Sequence, residues 1–362
     1  MESKSYNFEL LIKGDRDQKK EILRALSDNL VTLGKNETNI LISALETEKS
    51  QNIKEKIHLI LERIIPQIGI DPISRMLRSE DPYTRNAAVE IIKNSPQPLT
   101  SYVKWLARDS DKDVRKFAID AISSEKSPEA IAIIRERLSD DEINIVTTAV
   151  EYLGSVEDQE SVEDIEQILL ETNNKFLQCT CLEALSKIGH SPDSEEIIKK
   201  FSKETDPLIH FSYLRYVAEF GQKEDLSKIY TLMNNHPGLL EREALDAIEK
   251  IISRCNINEI PSELESALEQ IINSSSNSNR KYQALKILAQ VSGQNFRSKA
   301  REMLESDDEM LKLSAIEILA DCGHDEDIDL LEGLAEETDD DELLEAIGDA
   351  VSRITQRLES SL

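Results

Sequence analysis

Glycine is scarce in this 362-residue chain, at 11 residues, and aromatic side chains supply only 4% of it. Alternating Val/Ile/Thr runs of the kind half-buried strands need are absent, which excludes a sheet protein and predicts an all-α chain. So few aromatics also argue against one bulky core. The 39% hydrophobic content fits many small aliphatic contacts between thin helices instead. No apolar stretch approaches the length of a membrane span. The segment Met1 to Asp15 carries charges throughout and lacks the apolar core of an export signal. Four cysteines (Cys179, Cys181, Cys255 and Cys322) are scattered through helical patterns, which predicts free thiols in a reduced, cytoplasmic setting.

Reactive constellations are equally thin. The chain has five histidines, and no phosphate loop or serine-nucleophile elbow. Cys179-x-Cys181 and Cys322-x-His324 each offer two metal ligands. Residues two apart on a helix point about 200° away from one another, so Cys179 and Cys181 do not readily share an ion. The run Asp325-Glu326-Asp327-Ile328-Asp329 followed by Glu336 imitates a calcium loop. The place that such a loop reserves for glycine holds Leu330, and Leu330, Leu331 and Leu334 continue a helical stripe. No catalytic, cofactor-binding or metal-binding residue is therefore assigned, and the chain is expected not to be an enzyme.

Basic residues thin out toward the C-terminus. The formal net charge is −28. Met1 to Ile65 holds 11 acidic and 11 basic residues, whereas Arg301 to Leu362 holds 21 acidic and 4 basic. A field of that sign repels phosphate backbones, so nucleic acid and anionic membrane are poor partners and a basic protein surface is a better one.

What the chain does have is a period. Between Asn52 and Ala350 one unit of roughly 30–35 residues recurs, two helical patterns joined by a turn, the mark of a stacked helical solenoid of about ten hairpins. Pro72, Pro98, Pro128, Pro192 and Pro261 fall where first helices should begin, and Pro82, Pro207 and Pro237 where second helices should. Ala88, Ala118, Ala149, Ala184, Ala284, Ala315 and Ala346 take one repeated position in the second helices, with Ile57 and Tyr216 in other copies. A small residue there lets neighbouring helices approach closely. Gly154, Gly189 and Gly221 are expected to end second helices in the left-handed conformation. The stretch Asn273 to Asn279 reads as an enlarged turn inside one hairpin. Residues 1–65 form diverged N-terminal repeats, 66–324 the clearer ones and 325–362 an acidic capping repeat, in one continuous solenoid.

The pattern Asp-x-x-Val/Thr-Arg-x-x-Ala opens second helices at Asp81/Thr84/Arg85/Ala88 and Asp111/Val114/Arg115/Ala118. It resembles the HEAT repeat, closest to the short variety found in bacterial and archaeal proteins and in phycobilin lyases. The resemblance implies that each Asp caps its helix and that each Arg reaches the Asp of an adjacent unit. Acceptors stand at Asp140 or Asp141, Asp206 and Asp307, but Val146, Gln178 and Leu311 replace the arginine. A diiron hydroxylase of this class would need His-Glu pairs; here the matching dipeptides are Thr84-Arg85, His210-Phe211 and Arg242-Glu243. The base-excising relatives would need a basic face, which this charge denies.

Six of the sixteen aromatics lie between Phe201 and Tyr230. Tyr213, Tyr216, Val217 and Phe220 follow the spacing of a buried helix face, while Phe211 and Arg215 lie off it and are candidate partner anchors. Asp339, Asp340, Asp341 and Glu342 form a second candidate at the start of the last helix. Together these features predict a cytoplasmic, non-catalytic scaffold or adaptor, regulatory or signalling, that binds a basic or amphipathic protein segment. The alternative is a lyase-like or cofactor-attachment accessory protein.

Overall fold

The computed structural model describes residues 6–28, 33–68, 71–94, 100–236, 238–274, 277–292, 294–306 and 308–360. Among them every regular element is helical. The chain divides into two compact units, residues 1–168 and 169–362. In the first, α1 (Leu10–Lys13) pairs with α2 (Arg16–Ser27), α3 (Lys35–Thr47) with α4 (Gln51–Ile68), and α5 (Asp71–Leu77) with α6 (Pro82–Lys93). Next come α7 (Thr100–Leu106) with α8 (Lys112–Ile122) and α9 (Pro128–Arg135) with α10 (Ile143–Ser155). The division falls inside α11 (Val162–Glu171), which α12 (Lys175–Ile188) follows. The second unit continues with α13 (Ser194–Phe201) and α14 (Pro207–Phe220), α15 (Leu226–Asn235) and α16 (Glu241–Cys255), and α17 (Ser262–Ser274) and α18 (Ser278–Ser292). It ends with α19 (Gln294–Met303) and α20 (Glu309–Cys322), then α21 (Asp325–Glu337) and α22 (Asp341–Ser360). Within each unit, second helices pack on second helices: α2 to α8 and α10 in order, and α12 through α22 in order.

Capping sets the register. The Asp81 side chain accepts from Thr84 N at 3.0 Å, Asn174 from Leu177 N at 3.0 Å, and Asp308 from Met310 N at 3.1 Å. Asp111 and Asp206 do the same for Asp113 N and Leu208 N. Each occupies the orphan donors of a helix's first turn. Counting seven residues from the cap gives Ala88, Ala118, Ala149, Cys181, Tyr213, Ala247, Ala315 and Ile347, all buried. The alanine series is thus right for five of its members, Ala284 included because Asn277 precedes α18 and accepts from Arg280 N, and shifted at others. Ala184 and Tyr216 lie ten residues past their caps, in the place of Ala121, and Ala346 is half-buried beside the true position, Ile347.

A second regularity sits four residues past the cap. Arg85 donates to Ser79 O at 2.6 Å, Arg115 to Asp109 O at 3.0 Å and Gln178 to Thr172 O at 2.8 Å, and His210 Nε2 lies 2.9 Å from Glu204 O. Three side-chain types perform one task, satisfying a carbonyl in the turn between the helices of a hairpin. The expected arginine–aspartate link between successive repeats is present at Arg115, which holds Asp140 at 2.8 and 2.9 Å and Asp141 at 2.7 Å. Burial alone would raise the Asp140 carboxyl; Arg115 and the Glu142 amide hold it below its ordinary value. Arg85 lies over the Phe117 ring at 5.8 Å instead of pairing with an acid. Asp307 lies outside the described residues, and Asp308 caps α20 in its place.

Arginines also close the C-terminal ends of preceding second helices. Arg63 of α4 donates to Leu26 O at 2.6 Å, Arg254 of α16 to Ala218 O at 2.6 Å, and Arg357 of α22 to Ala320 O at 2.7 Å. A cation on these unpaired carbonyls also opposes the negative end of the helix dipole.

Three turn expectations change. Gly189 is left-handed with φ 71°, as expected, but Gly154 lies inside α10 and the left-handed residue after it is Glu157 at φ 56°. Gly221 is extended, with φ −64°; its glycine is required because a Cβ would lie 2.6 Å from Val217 O. Of the stretch Asn273 to Asn279, expected as a turn, Asn273 and Ser274 close α17 and Ser278 and Asn279 open α18, while residues 275 and 276 lie outside the described residues. Among the prolines, Pro82, Pro128 and Pro207 open helices, Pro72 is the second residue of α5, Pro261 immediately precedes α17, and Pro192 stands one residue before the cap of α13. Pro98 and Pro237 lie outside the described residues.

Two measurements check this packing. Ala118, fully buried where α8 meets α6 and α10, has no room for a larger side chain. Ala118→Leu should cost about 1–3 kcal/mol and lower the thermal midpoint; an unchanged melting curve would displace the register. Glu204 bonds Lys175 at 2.9 Å and accepts from the amides of Thr205 and Asp206, which together bring its carboxyl down to about 2. A depressed folded value means stability that is complete above the unfolded carboxyl range and lost as pH falls toward 2. The midpoint difference between the protein and Glu204→Gln should therefore be largest near neutrality and shrink between about pH 4.5 and 2. A pH-independent difference would remove this assignment.

Candidate protein-interaction surface

The two candidate anchors on α14 meet as a stacked pair. Four residues apart on a helix, Phe211 and Arg215 are one turn apart, and the guanidinium carbon sits 4.5 Å from the Phe211 ring centroid. Phe211 is half-buried and Arg215 exposed. Such a stack is worth about 0.5–1 kcal/mol at an exposed site and holds both side chains in one arrangement before any partner arrives. Tyr213, Tyr216 and Val217 point the other way and are fully buried, as their spacing predicts; Phe220 is half-buried, its ring 4.7 Å from Tyr216.

Arg215 borders a cavity of about 260 Å³ between second helices, lined also by Glu183, Lys187, Glu219, Asp246 and Lys250. Elsewhere along these helices opposite charges are matched across the groove. Lys250 bonds Glu219 at 2.8 Å, Lys286 bonds Glu249 at 2.9 Å, the Tyr282 hydroxyl donates to Glu317, and Arg353 pairs with Asp321. The glutamates raise the Lys250 and Lys286 ammonium groups above their ordinary value. Arg215 makes no ion pair among the described residues; its partner is the Phe211 ring.

Sequence reasoning missed the apolar side chains beside this pair. Phe176 is 70% exposed, Leu208 46% and Leu239 65%, at or just before the starts of α12, α14 and α16. The Cys179 thiol, 3.6 Å from Leu208 O, ties the first two starts together. The signal was available once the caps are fixed: two residues past the cap, the two preceding copies carry Asp113 and Asn144, while α12 and α14 carry Phe176 and Leu208. Exposed apolar side chains thus recur near the starts of three successive second helices, the middle one of which carries the aromatic–arginine pair. In the first unit Trp105 on α7 is 75% exposed but stands on a first helix.

The acidic candidate lies apart, at the start of α22, with α16, α18 and α20 between it and α14 in the stack. Its four residues have different tasks. Asp340 is the helix cap, accepting from Glu342 N at 2.9 Å and Leu343 N at 3.0 Å. Asp339, Asp341 and Glu342 are exposed. The nearby run from Asp325 is the first turn of α21. There Asp327 is fully buried, accepting from Arg297 at 2.5 Å, Arg301 at 2.6 Å and His324 N at 2.6 Å. Burial would raise its carboxyl; the His324 amide and both arginines hold it below its ordinary value. The acids of this run thus join α19 to α21.

The metal-like fragments are taken up by packing. Cys181 is fully buried, and burial pushes its thiol far up; Cys179 is half-buried. Cys322 ends α20, while His324 caps α21. Among the described residues no three His, Cys, Asp or Glu side chains gather as a metal site, and no helix is long and apolar enough to cross a membrane.

A family model of HEAT repeats matches residues 99–186 and 265–352. Among solved structures, importin beta is similar at a TM-score of 0.60 and 11% identity, over 96% of this chain and 59% of that one. Kap95p, whose binding induces the switch loops of RanGDP to adopt the GTP-bound conformation, is similar at 0.55 and 12%, over 97% and 57%. An engineered protein is similar at 0.50 and 15%, over 88% and 98%. The chain thus spans somewhat over half the length of the two transport receptors. No curated protein matches it by sequence. With matched repeats in both units and helical hairpins stacked second helix on second helix, the chain is a HEAT-repeat solenoid protein.

Proposed function

We propose that this protein is a non-catalytic scaffold or adaptor whose second helices hold a protein partner, a basic or amphipathic segment, in the reduced cytoplasmic setting that its four free cysteines fit. The observation that carries the reading is the Phe211–Arg215 stack, its arginine exposed, on a run of second helices whose starts also expose Phe176, Leu208 and Leu239. Aromatic and arginine side chains dominate interface energetics, and an anchor already held in place loses little freedom on binding. The fold supports the reading by analogy, since importin beta shares it, but at 11% identity the likeness speaks for architecture alone. A regulatory or signalling role would follow from the partner. Nothing at residue level favours the lyase-like alternative.

The test is affinity capture followed by binding measurement with the captured partner. Phe211→Ala/Arg215→Ala should weaken binding at least about tenfold, the loss expected of one anchor. Retained affinity would move the partner off α14.

The acidic start of α22 is tested separately. Asp339→Asn/Asp341→Asn/Glu342→Gln removes three exposed charges and leaves Asp340 to cap the helix. Association with a basic partner should slow and its salt dependence flatten. The same rate and salt slope in the variant would reduce these acids to a solvated helix start.

A further inference from the structure

Helix α22 is 20 residues long, and only part of its circumference is covered. Leu343, Ile347, Ala350 and Ile354 form its buried stripe. On one flank Arg353 pairs with Asp321 and Arg357 donates to the C-terminal carbonyls of α20, which fixes that flank against the preceding second helix. At about 100° per residue, Leu344, Val351 and Leu358 lie together roughly 140° around the helix from those arginines. Leu344 is 37% exposed, and Val351 and Leu358 are half-buried. Repeated at seven-residue intervals over about 21 Å, they make the kind of seam that receives another helix.

Gly348 stands beside this seam. A Cβ built on it meets nothing within 4 Å, so no neighbour in the chain requires a glycine there. Glycine inside a helix costs about 0.5–1 kcal/mol relative to alanine. It also lets an incoming backbone come close.

The charge around the seam selects the occupant. Residues 325–362 contain fourteen acidic and two basic residues, and both basic ones are the arginines committed to α20. Exposed Asp341 and Glu359 border the seam. A second copy of this hairpin would bring two such acidic surfaces together, and like charges facing one another oppose association. A helix with an apolar stripe flanked by Lys and Arg satisfies both the seam and its border.

We infer that the open flank of α22, from Leu344 to Leu358, is a docking seam for a basic amphipathic helix of a partner protein. This deepens the scaffold reading and rests on it, while placing a contact on a helix distant in the stack from Phe211 and Arg215.

The probe is a labelled leucine–lysine peptide of about 18 residues in helical register, with a leucine–glutamate peptide as its counterpart, followed by fluorescence anisotropy on the full chain. The lysine peptide should bind, more weakly as salt rises, and the glutamate peptide should not. Leu344→Ser/Val351→Ser should weaken binding at least about tenfold, whereas Phe211→Ala/Arg215→Ala should leave it unchanged. Gly348→Gln, which fills open space and favours the helix, should also block binding without lowering the melting point. The inference is overturned if the lysine peptide does not bind, if the glutamate peptide binds as well, or if the seam variants bind like the parent chain. It is overturned equally if ultracentrifugation shows a dimer that the seam variants dissolve, which would make a second copy the occupant. Each of those results leaves the Phe211–Arg215 test of the scaffold reading standing.

Discussion

Four hairpins, those of α6, α8, α12 and α14, depend on a carbonyl in the turn between their two helices. A backbone carbonyl there, buried and unpaired, would cost about 1–3 kcal/mol in each repeat. Arg85, Arg115, Gln178 and His210 each reach back six residues to satisfy one. Because the donor stands four residues past the helix cap, the turn, the cap and the first turn of the second helix form one hydrogen-bonded unit. That fixes how the second helix leaves the turn, and with it which residues face the neighbouring repeat. The buried position seven residues past the cap is shared more widely, filled by alanine in most copies and by Cys181, Tyr213 or Ile347 in others.

Contacts between hairpins draw on the same need. Arg63, Arg254 and Arg357 cover the last carbonyls of the second helix before their own. Arg115 bridges to Asp140 and Asp141, and Asp327 takes two arginines from the preceding first helix. Many ion pairs therefore join successive repeats, which suits a protein whose cohesion is nearest-neighbour. Arg215 differs from them. It rests on Phe211 in the midst of paired charges, on a helix whose start also exposes Leu208.

The architecture was legible in the sequence because period, proline placement and cap chemistry are local signals. Asp81, Asp111 and Asp206 announce their helices, and the structure finds them capping. The alanine position slipped at Ala184 and Tyr216, ten residues past their caps, because the next turn of the same helix also faces the core, and at Ala346 because a small residue stands one place before the buried Ile347. The turn-carbonyl donors escaped notice because arginine, glutamine and histidine share no name, only a reach. Gly154 and Gly221 misled for a similar reason: the left-handed turn moved to Glu157 in one repeat, and steric closeness to Val217 explains the glycine in another. The Phe211–Arg215 pair was visible from its place off the buried stripe. The exposure of Phe176 and Leu208 was not, since apolar residues early in a helix ordinarily read as core.

The central claim is that partner contact belongs to the second helices. Hydrogen–deuterium exchange of the full chain, alone and saturated with a captured partner, reports on it directly, because amides beneath a bound partner exchange more slowly. The account predicts that protection gathers in α12, α14 and α16 around Phe176, Leu208 and Arg215, while α13 and α15 exchange as before. Protection confined to the first helices, or spread evenly through both helices of each hairpin, would contradict it.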